Sequence, residues 1–287
     1  MDYYRNKLVL ITGGSSGLGL ALAKQLAEQE ANVWILARHP EALESAVNEM
    51  ESLRKNPNQK FGCIKADVTH EQEISSELGR FMQENGVPDI LINCAGSSIP
   101  GMFVEQENEV FHQMMDLNYF GTVYITKKVI PGMIQRHSGH IITISSIAGY
   151  GGALGYAAYC AAKCAVKAFS EAIRPELKEF GIRVSCVFPP SMQTPGLEVE
   201  NFYKPAVTRV MEESNISLVA PEIVAKALLK DAARGKYNIW PDFSSSFWYF
   251  IYGFAGGTLR IFDPIMDNLI IAPARRKVEK QNGSLKQ

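Results

Sequence analysis

Little in this 287-residue chain points to disulfide, metal or nucleic-acid chemistry. Its five cysteines, at 63, 94, 160, 164 and 186, are odd in number and lack the paired spacing of a zinc site, which argues against a disulfide scaffold and fits a reducing compartment. Cys160 and Cys164 share a helix face, but small buried thiols are common there and no role is assigned to them. The five histidines, at 39, 70, 112, 137 and 140, form no ligand cluster, so no metal is expected. A formal net charge of −1 supplies no broad basic field, and nucleic acid is not an expected partner. No Pro/Ser-rich linker or internal repeat divides the chain, which favours one large core. Met1 to Lys7 leads into the first apolar run without an apolar region before it, so no signal peptide is expected and the active site is placed in the cytoplasm.

What the chain does contain is a regular alternation of strand-like and helix-like segments. Apolar runs at 8–11, 32–37, 61–66, 89–93, 140–145, 182–188 and 237–239 are separated by segments of helical period. This pattern predicts an α/β fold, a Rossmann-type doubly wound sheet of seven parallel strands. A single domain is expected over residues 1–242, followed by an aromatic and apolar C-terminal extension at 243–287. After the first strand comes Thr12-Gly13-Gly14-Ser15-Ser16-Gly17-Leu18-Gly19, and Leu18, Leu22 and Leu26 then recur every four residues as the buried stripe of a helix. The glycines thus sit where a helix begins, where missing Cβ atoms permit a tight turn and the free N–H groups stabilise a pyrophosphate. A dinucleotide is the expected ligand.

A tyrosine followed four residues later by a lysine occurs three times: Tyr3 with Lys7, Tyr124 with Lys128, and Tyr159 with Lys163. Only the third has a serine thirteen positions upstream, Ser146, since Phe111 holds that place before Tyr124. A spacing of four puts both side chains on one helix face. There an ammonium favours the ionised phenol and brings proton exchange nearer neutral pH.

Taken in order, these landmarks resemble the short-chain dehydrogenase/reductase family over roughly residues 7 to 240. Thr12-Gly13, Gly17 and Gly19 match its glycine turn. Asp67-Val68 stands at the end of the third strand, and Asn93-Cys94-Ala95-Gly96 follows the fourth. Asn118 lies in Leu117-Asn118-Tyr119-Phe120-Gly121, within a long helical stretch. The resemblance implies a catalytic set of Asn118, Ser146, Tyr159 and Lys163. Tyr159 would donate a proton, Ser146 would orient the carbonyl oxygen, Lys163 would lower the phenol pKa and hold the nicotinamide ribose, and Asn118 would kink its helix and anchor a proton relay. The cofactor contacts it implies are Gly13, Ser15, Ser16, Gly17, Gly19, Arg38, Asp67, Val68, Asn93, Tyr159, Lys163 and Thr194.

Cofactor choice is read from the second strand, Asn32-Val33-Trp34-Ile35-Leu36-Ala37-Arg38, which ends without an acid. A carboxylate there would accept bonds from the 2′-hydroxyl of NAD, whereas the Arg38 guanidinium suits a 2′-phosphate. NADPH is therefore the expected cofactor, and reduction the expected direction. Pro189-Pro190, Thr194-Pro195-Gly196, Glu200-Asn201 and Lys204-Pro205 resemble the subgroup that reduces a long-chain amino ketone, 3-ketosphinganine, in sphingolipid synthesis, although Pro190 stands where most of the family has glycine. The alternatives are a reductase of another lipid, steroid or acyl ketone and a non-catalytic NADP-binding regulator. Phe243 to Leu259 carries no charge over seventeen residues and includes three serines and three glycines, near the lower limit for a spanning helix. Two expectations follow for the tail: peripheral membrane contact through its aromatic residues, or subunit contact in a homo-oligomer, a dimer or tetramer as the family implies.

Overall fold

Alternating apolar residues place this chain's strands between two layers of helices. In the computed structural model, which describes residues 2–215, 217–251 and 267–284, the first strand is β1 (Leu8–Thr12). Val9 and Ile11 face one hydrophobic cluster and Leu10 the other, as a side-chain period of two requires. Ile90 and Ile92 against Leu91 repeat the division in β4 (Ile90–Asn93). Such double burial is the mark of a parallel sheet covered on both faces. Each fully buried Leu or Ile stabilises the fold by about 1.5–3 kcal/mol relative to exposure.

The other strands are β2 (Asn32–Ala37), β3 (Phe61–Lys65), β5 (Gly139–Ile144), β6 (Ile182–Val187) and β7 (Asn238–Ile239). All seven pair in parallel in the order β3-β2-β1-β4-β5-β6-β7. The expected strands are all present, with ends that differ by at most one residue. On one face lie α1 (Gly17–Glu28), α2 (Pro40–Ser52) and α9 (Pro221–Ala233). On the other lie α3 (Glu71–Asn85), α5 (Gly121–Gln135) and α6 (Ala157–Lys178). The chain leaves β3, passes through α3 and returns on the far side of β1 as β4. That reversal opens a crevice above the carboxyl ends of β1 and β4, the usual ligand position in such sheets.

Helix α4 (Asn108–Met115) does not run straight into α5, for residues Asp116–Phe120 form a π-helical turn with Asn118 at its centre. Past β6, α7 (Pro195–Tyr203) and α8 (Ala206–Asn215) form a flap that starts beside the glycine turn, at Thr194. The extension forms α10 (Phe243–Ile251) and, after a π-turn at Asp267–Ile271, α11 (Ala272–Ser284). Residues 252–259 of the charge-free run lie outside the described residues. α10 packs on the 3₁₀ turn Ile147–Gly149, and α11 packs along α8. The tail thus meets its own chain's flap, a contact absent from the sequence reading because it joins segments some sixty residues apart. No helix among the described residues is long and apolar enough to cross a membrane.

Candidate active site

The glycine turn after β1 is shaped by contacts that exclude side chains. Gly13 has a φ of 66°, and a Cβ there would stand 2.8 Å from Ala95 Cα. A Cβ on Gly19 would stand 2.1 Å from the Gly13 carbonyl oxygen. The turn therefore packs against both the start of α1 and the end of β4, and its backbone lies bare at the helix N-terminus. Thr12 Oγ1 accepts from Cys94 N and Ala95 N, each at 3.0 Å, locking together the two strand ends that flank the crevice. Ser16 is the N-cap residue of α1, yet its side chain makes no capping bond. Ser15 is partly exposed beside it. Across the crevice, the Thr194 methyl carbon is 3.2 Å from where a Gly17 Cβ would be. Thr194 is the N-cap residue of α7, and its hydroxyl makes no capping bond.

At the far end of the crevice, Arg38 Nη1 lies 3.8 Å from Asp67 Oδ2, with the arginine side chain 58% exposed. Partial burial would raise the Asp67 carboxyl, but hydrogen bonds from Thr69 N and Oγ1, at 2.9 and 2.8 Å, and the Arg38 charge hold it below its ordinary range. Val68 is buried against Gly121. Asn93 Nδ2 donates to Thr126 Oγ1 at 2.9 Å and so braces β4 against α5.

The four residues of the expected catalytic set converge from three elements. Ser146 follows β5, and Ala148 N donates to its Oγ at 3.2 Å. The Tyr159 phenol comes from the first turn of α6, close enough to the Ser146 hydroxyl for that group to favour its ionised form. Lys163, one turn on, is buried and lies 5.7 Å from the centroid of the Tyr159 ring, with its Nζ donating to the Ile144 carbonyl at 3.0 Å. Ser145 Oγ donates to the Lys163 carbonyl at 2.9 Å and fixes α6 against β5. Asn118 Nδ2 donates to the Ser97 and Met114 carbonyls at 3.1 and 3.0 Å. Its Oδ1 is buried without a partner among the described residues and faces Gly96. The π-turn swings this amide toward Lys163, an arrangement common at functional sites.

Burial dominates the electrostatics. It pushes the Tyr159 phenol above its ordinary value, opposed by the Ser146 hydroxyl and reinforced by the charge of Glu200. It also lowers the Lys163 ammonium to about 8, with the Cys94 and Cys186 thiols acting in the opposite sense. The depression of the phenol expected from the four-residue spacing is thus outweighed in the free protein, because low polarity penalises phenolate and ammonium alike.

One group of polar residues near the site escaped sequence reasoning. Tyr156, three positions before Tyr159, hydrogen-bonds Glu200 Oε1 at 2.6 Å and Glu212 Oε1 at 2.7 Å. Lys204, its side chain 3% exposed, reaches Glu212 Oε2 at 2.5 Å, Asn201 Oδ1 at 2.8 Å and Glu200 Oε1 at 3.3 Å. Glu200, Asn201 and Lys204 had been noted only for their resemblance to a subgroup, and nothing in their spacing reveals Tyr156 as a partner.

Among known proteins, a family model described as short chain dehydrogenase matches residues 7–202. A 3-ketodihydrosphingosine reductase of Bos taurus is 37% identical over 231 residues, covering 80% of this chain and 69% of the relative. The protein of that name in Dictyostelium discoideum is 35% identical over 252 residues, covering 83% and 75%. Among solved structures, a variant of actinorhodin polyketide ketoreductase with NADPH superposes with a TM-score of 0.73 at 27% identity, covering 82% of this chain and 95% of that one.

Proposed function

This chain belongs to the short chain dehydrogenase family and is an oxidoreductase acting on a ketone; from that premise we propose that it reduces 3-ketosphinganine to sphinganine with NADPH, a step of sphingolipid biosynthesis. The observation that carries the reading is the convergence of Ser146, Tyr159 and Lys163 beside a glycine turn bare enough for a pyrophosphate. The named relatives supply the substrate, and Arg38 the preference for a 2′-phosphate.

Within this reading the residues divide the work. The turn from Gly13 to Gly19, with the hydroxyls of Ser15 and Ser16, holds the pyrophosphate at the start of α1. Arg38 holds the adenosine phosphate, Asp67 and Val68 line the adenine end, and Thr194 lies over the turn from the flap side. Bound NADPH supplies the hydride for the carbonyl carbon. Ser146 donates a hydrogen bond to the carbonyl oxygen and fixes its place between two hydroxyls. Tyr159, kept protonated by burial, gives its phenolic proton to that oxygen as charge gathers there. Lys163 stabilises the phenolate that remains, and the unpartnered Asn118 Oδ1 accepts the next link of the chain that returns a proton to it.

The test is NADPH consumption by the full-length protein with 3-ketosphinganine in detergent, with product identified by mass. Turnover of steroid or acyl ketones but not of 3-ketosphinganine would replace this substrate with another. The tail enters the proposal through Phe243 and Phe250, which are 83% and 62% exposed on α10. We assign that face to a membrane surface at the cytoplasmic side. Liposome flotation lost in Phe243→Ser/Phe250→Ser supports this, whereas a fall in molar mass with flotation unchanged makes the face a subunit contact.

A further inference from the structure

Helix α7 has no buried residue, so apolar packing does little to hold it in place. What holds it is polar. Glu200 of α7 and Glu212 of α8 both meet the Tyr156 hydroxyl, at 2.6 and 2.7 Å, and Lys204 ties the same two carboxylates together from the connection between the helices. Thr208 Oγ1 adds a bond to the Leu154 carbonyl at 3.2 Å. Tyr156 is the N-cap residue of α6, and its carbonyl accepts from Cys160 N at 2.8 Å. The residue is 9% exposed, and its ring meets the Tyr159 ring edge to face, with centroids 6.3 Å apart and planes at 60°. One buried side chain therefore touches the flap with its hydroxyl and the proton donor with its ring.

We propose that Tyr156 is a positioning residue of the reduction: its hydroxyl fastens the α7–α8 flap to the first turn of the catalytic helix, so that closure of the flap and the orientation of Tyr159 are set together. A phenol hydrogen shared by two carboxylates is a charge-assisted bond, about twice as strong as a neutral one. Burial and the adjacent Glu200 and Glu212 charges keep the Tyr156 hydroxyl protonated, so the fastening persists across the working pH range. Glu200 has a second effect. The groups acting on the Tyr159 phenol are the Ser146 hydroxyl beyond β5, the Cys160 thiol and Lys163 ammonium on α6, and the Glu200 carboxylate on α7. Those acting on Glu200 are Tyr156, Lys204 and Glu212. A closed flap brings a negative charge toward the phenol and favours its protonated, proton-donating form.

The inference rests on the ketone-reductase reading, and two variants of the full chain test it. Tyr156→Phe keeps the ring contact and removes the hydroxyl. We expect kcat to fall on the order of tenfold to a hundredfold with the KM for NADPH unchanged, and proteolytic cleavage within residues 195–215 to accelerate in the free protein. Glu200→Gln keeps an acceptor for Tyr156 but removes one negative charge. Because reduction needs the protonated phenol, the rate falls as pH rises through the phenol pKa, and losing a neighbouring negative charge moves that limb to lower pH by about one unit. Wild-type kcat in Tyr156→Phe, or a Glu200→Gln profile that superimposes on the wild type, overturns the proposal. If the wild type leaves 3-ketosphinganine unreduced, the substrate reading fails by itself. Cleavage of the 195–215 segment in free Tyr156→Phe then decides: acceleration supports the fastening and an unchanged rate overturns it.

Discussion

Gly96 faces Asn118 so closely that a Cβ on Gly96 would come within 2.6 Å of Asn118 Oδ1, and within 3.2 Å of Lys163 Nζ. The floor of the site is thus cut to the size of a hydrogen atom. Gly96→Ala should fold, since the obstruction is two side chains and not backbone, but kcat should fall on the order of a hundredfold as Asn118 or Lys163 is displaced. Steady-state kinetics beside a thermal melt checks this. A loss of Tm in place of kcat would show the glycine to be a packing requirement.

Tyr159→Phe removes the proposed proton donor without touching the turn that would hold the pyrophosphate. Turnover should drop by at least about a hundredfold while NADPH affinity, read by fluorescence titration, stays near that of the wild type. Wild-type turnover in this variant refutes the assignment of Tyr159.

Arg38 is more than half exposed, and among the described residues its ion pair is the loose 3.8 Å one with Asp67, so its guanidinium can meet a phosphate. Arg38→Ala should raise the KM for NADPH on the order of tenfold, the loss of a charge-assisted bond, and leave that for NADH unchanged. Equal effects on the two cofactors would move the 2′-phosphate elsewhere.

Lys163 illustrates activity purchased at the expense of stability. Its folded-state pKa is near 8, below the ordinary lysine value, so between about 8 and 10.5 the unfolded chain binds the extra proton. This group therefore makes the free protein more stable as pH rises through that window, by about 1.4 kcal/mol per pH unit. Lys163→Met should abolish turnover, raise Tm at pH 7 and flatten this dependence in urea titrations. A destabilised variant would show that the bond to Ile144 outweighs the cost of burying the ammonium.

His140, buried in β5 between the Tyr3 hydroxyl and Ser185 Oγ, each at 2.9 Å, has its pKa lowered to about 3 by burial, with the Arg183 charge acting in the same direction. Below about pH 6.5 the unfolded chain takes up a proton that the folded chain refuses, so stability is lost as pH falls toward 3, at about 1.4 kcal/mol per unit. His140→Gln should lessen the slope between pH 6 and 4 in urea melts. An identical slope would assign acid sensitivity to the carboxylates.

Strands were legible in the sequence because parallel burial on both faces makes them short, apolar and bounded, so Asn32 to Ala37 reads the same from either side. The glycine turn was legible because its cause is local: a helix start and a missing Cβ. Lys163 was visible as a neighbour of Tyr159, but the balance of its charge was not, since burial depends on strands and loops distant in the chain. Asn93 is expected as a cofactor contact from its motif, and the fold adds a brace that the motif does not report, from its Nδ2 to Thr126. The carboxylates at 200 and 212 find Tyr156 across 44 and 56 residues, a separation no periodicity reports.

Helix α8 lies between α11 on one side and the loop that carries Tyr156 on the other. For this flap to move, contacts from two distant stretches of the chain must part, the packing of α11 on α8 and the carboxylate cluster that meets Tyr156. On the proposed reading, salt that loosens the carboxylate cluster should then ease departure of the product before it touches hydride transfer.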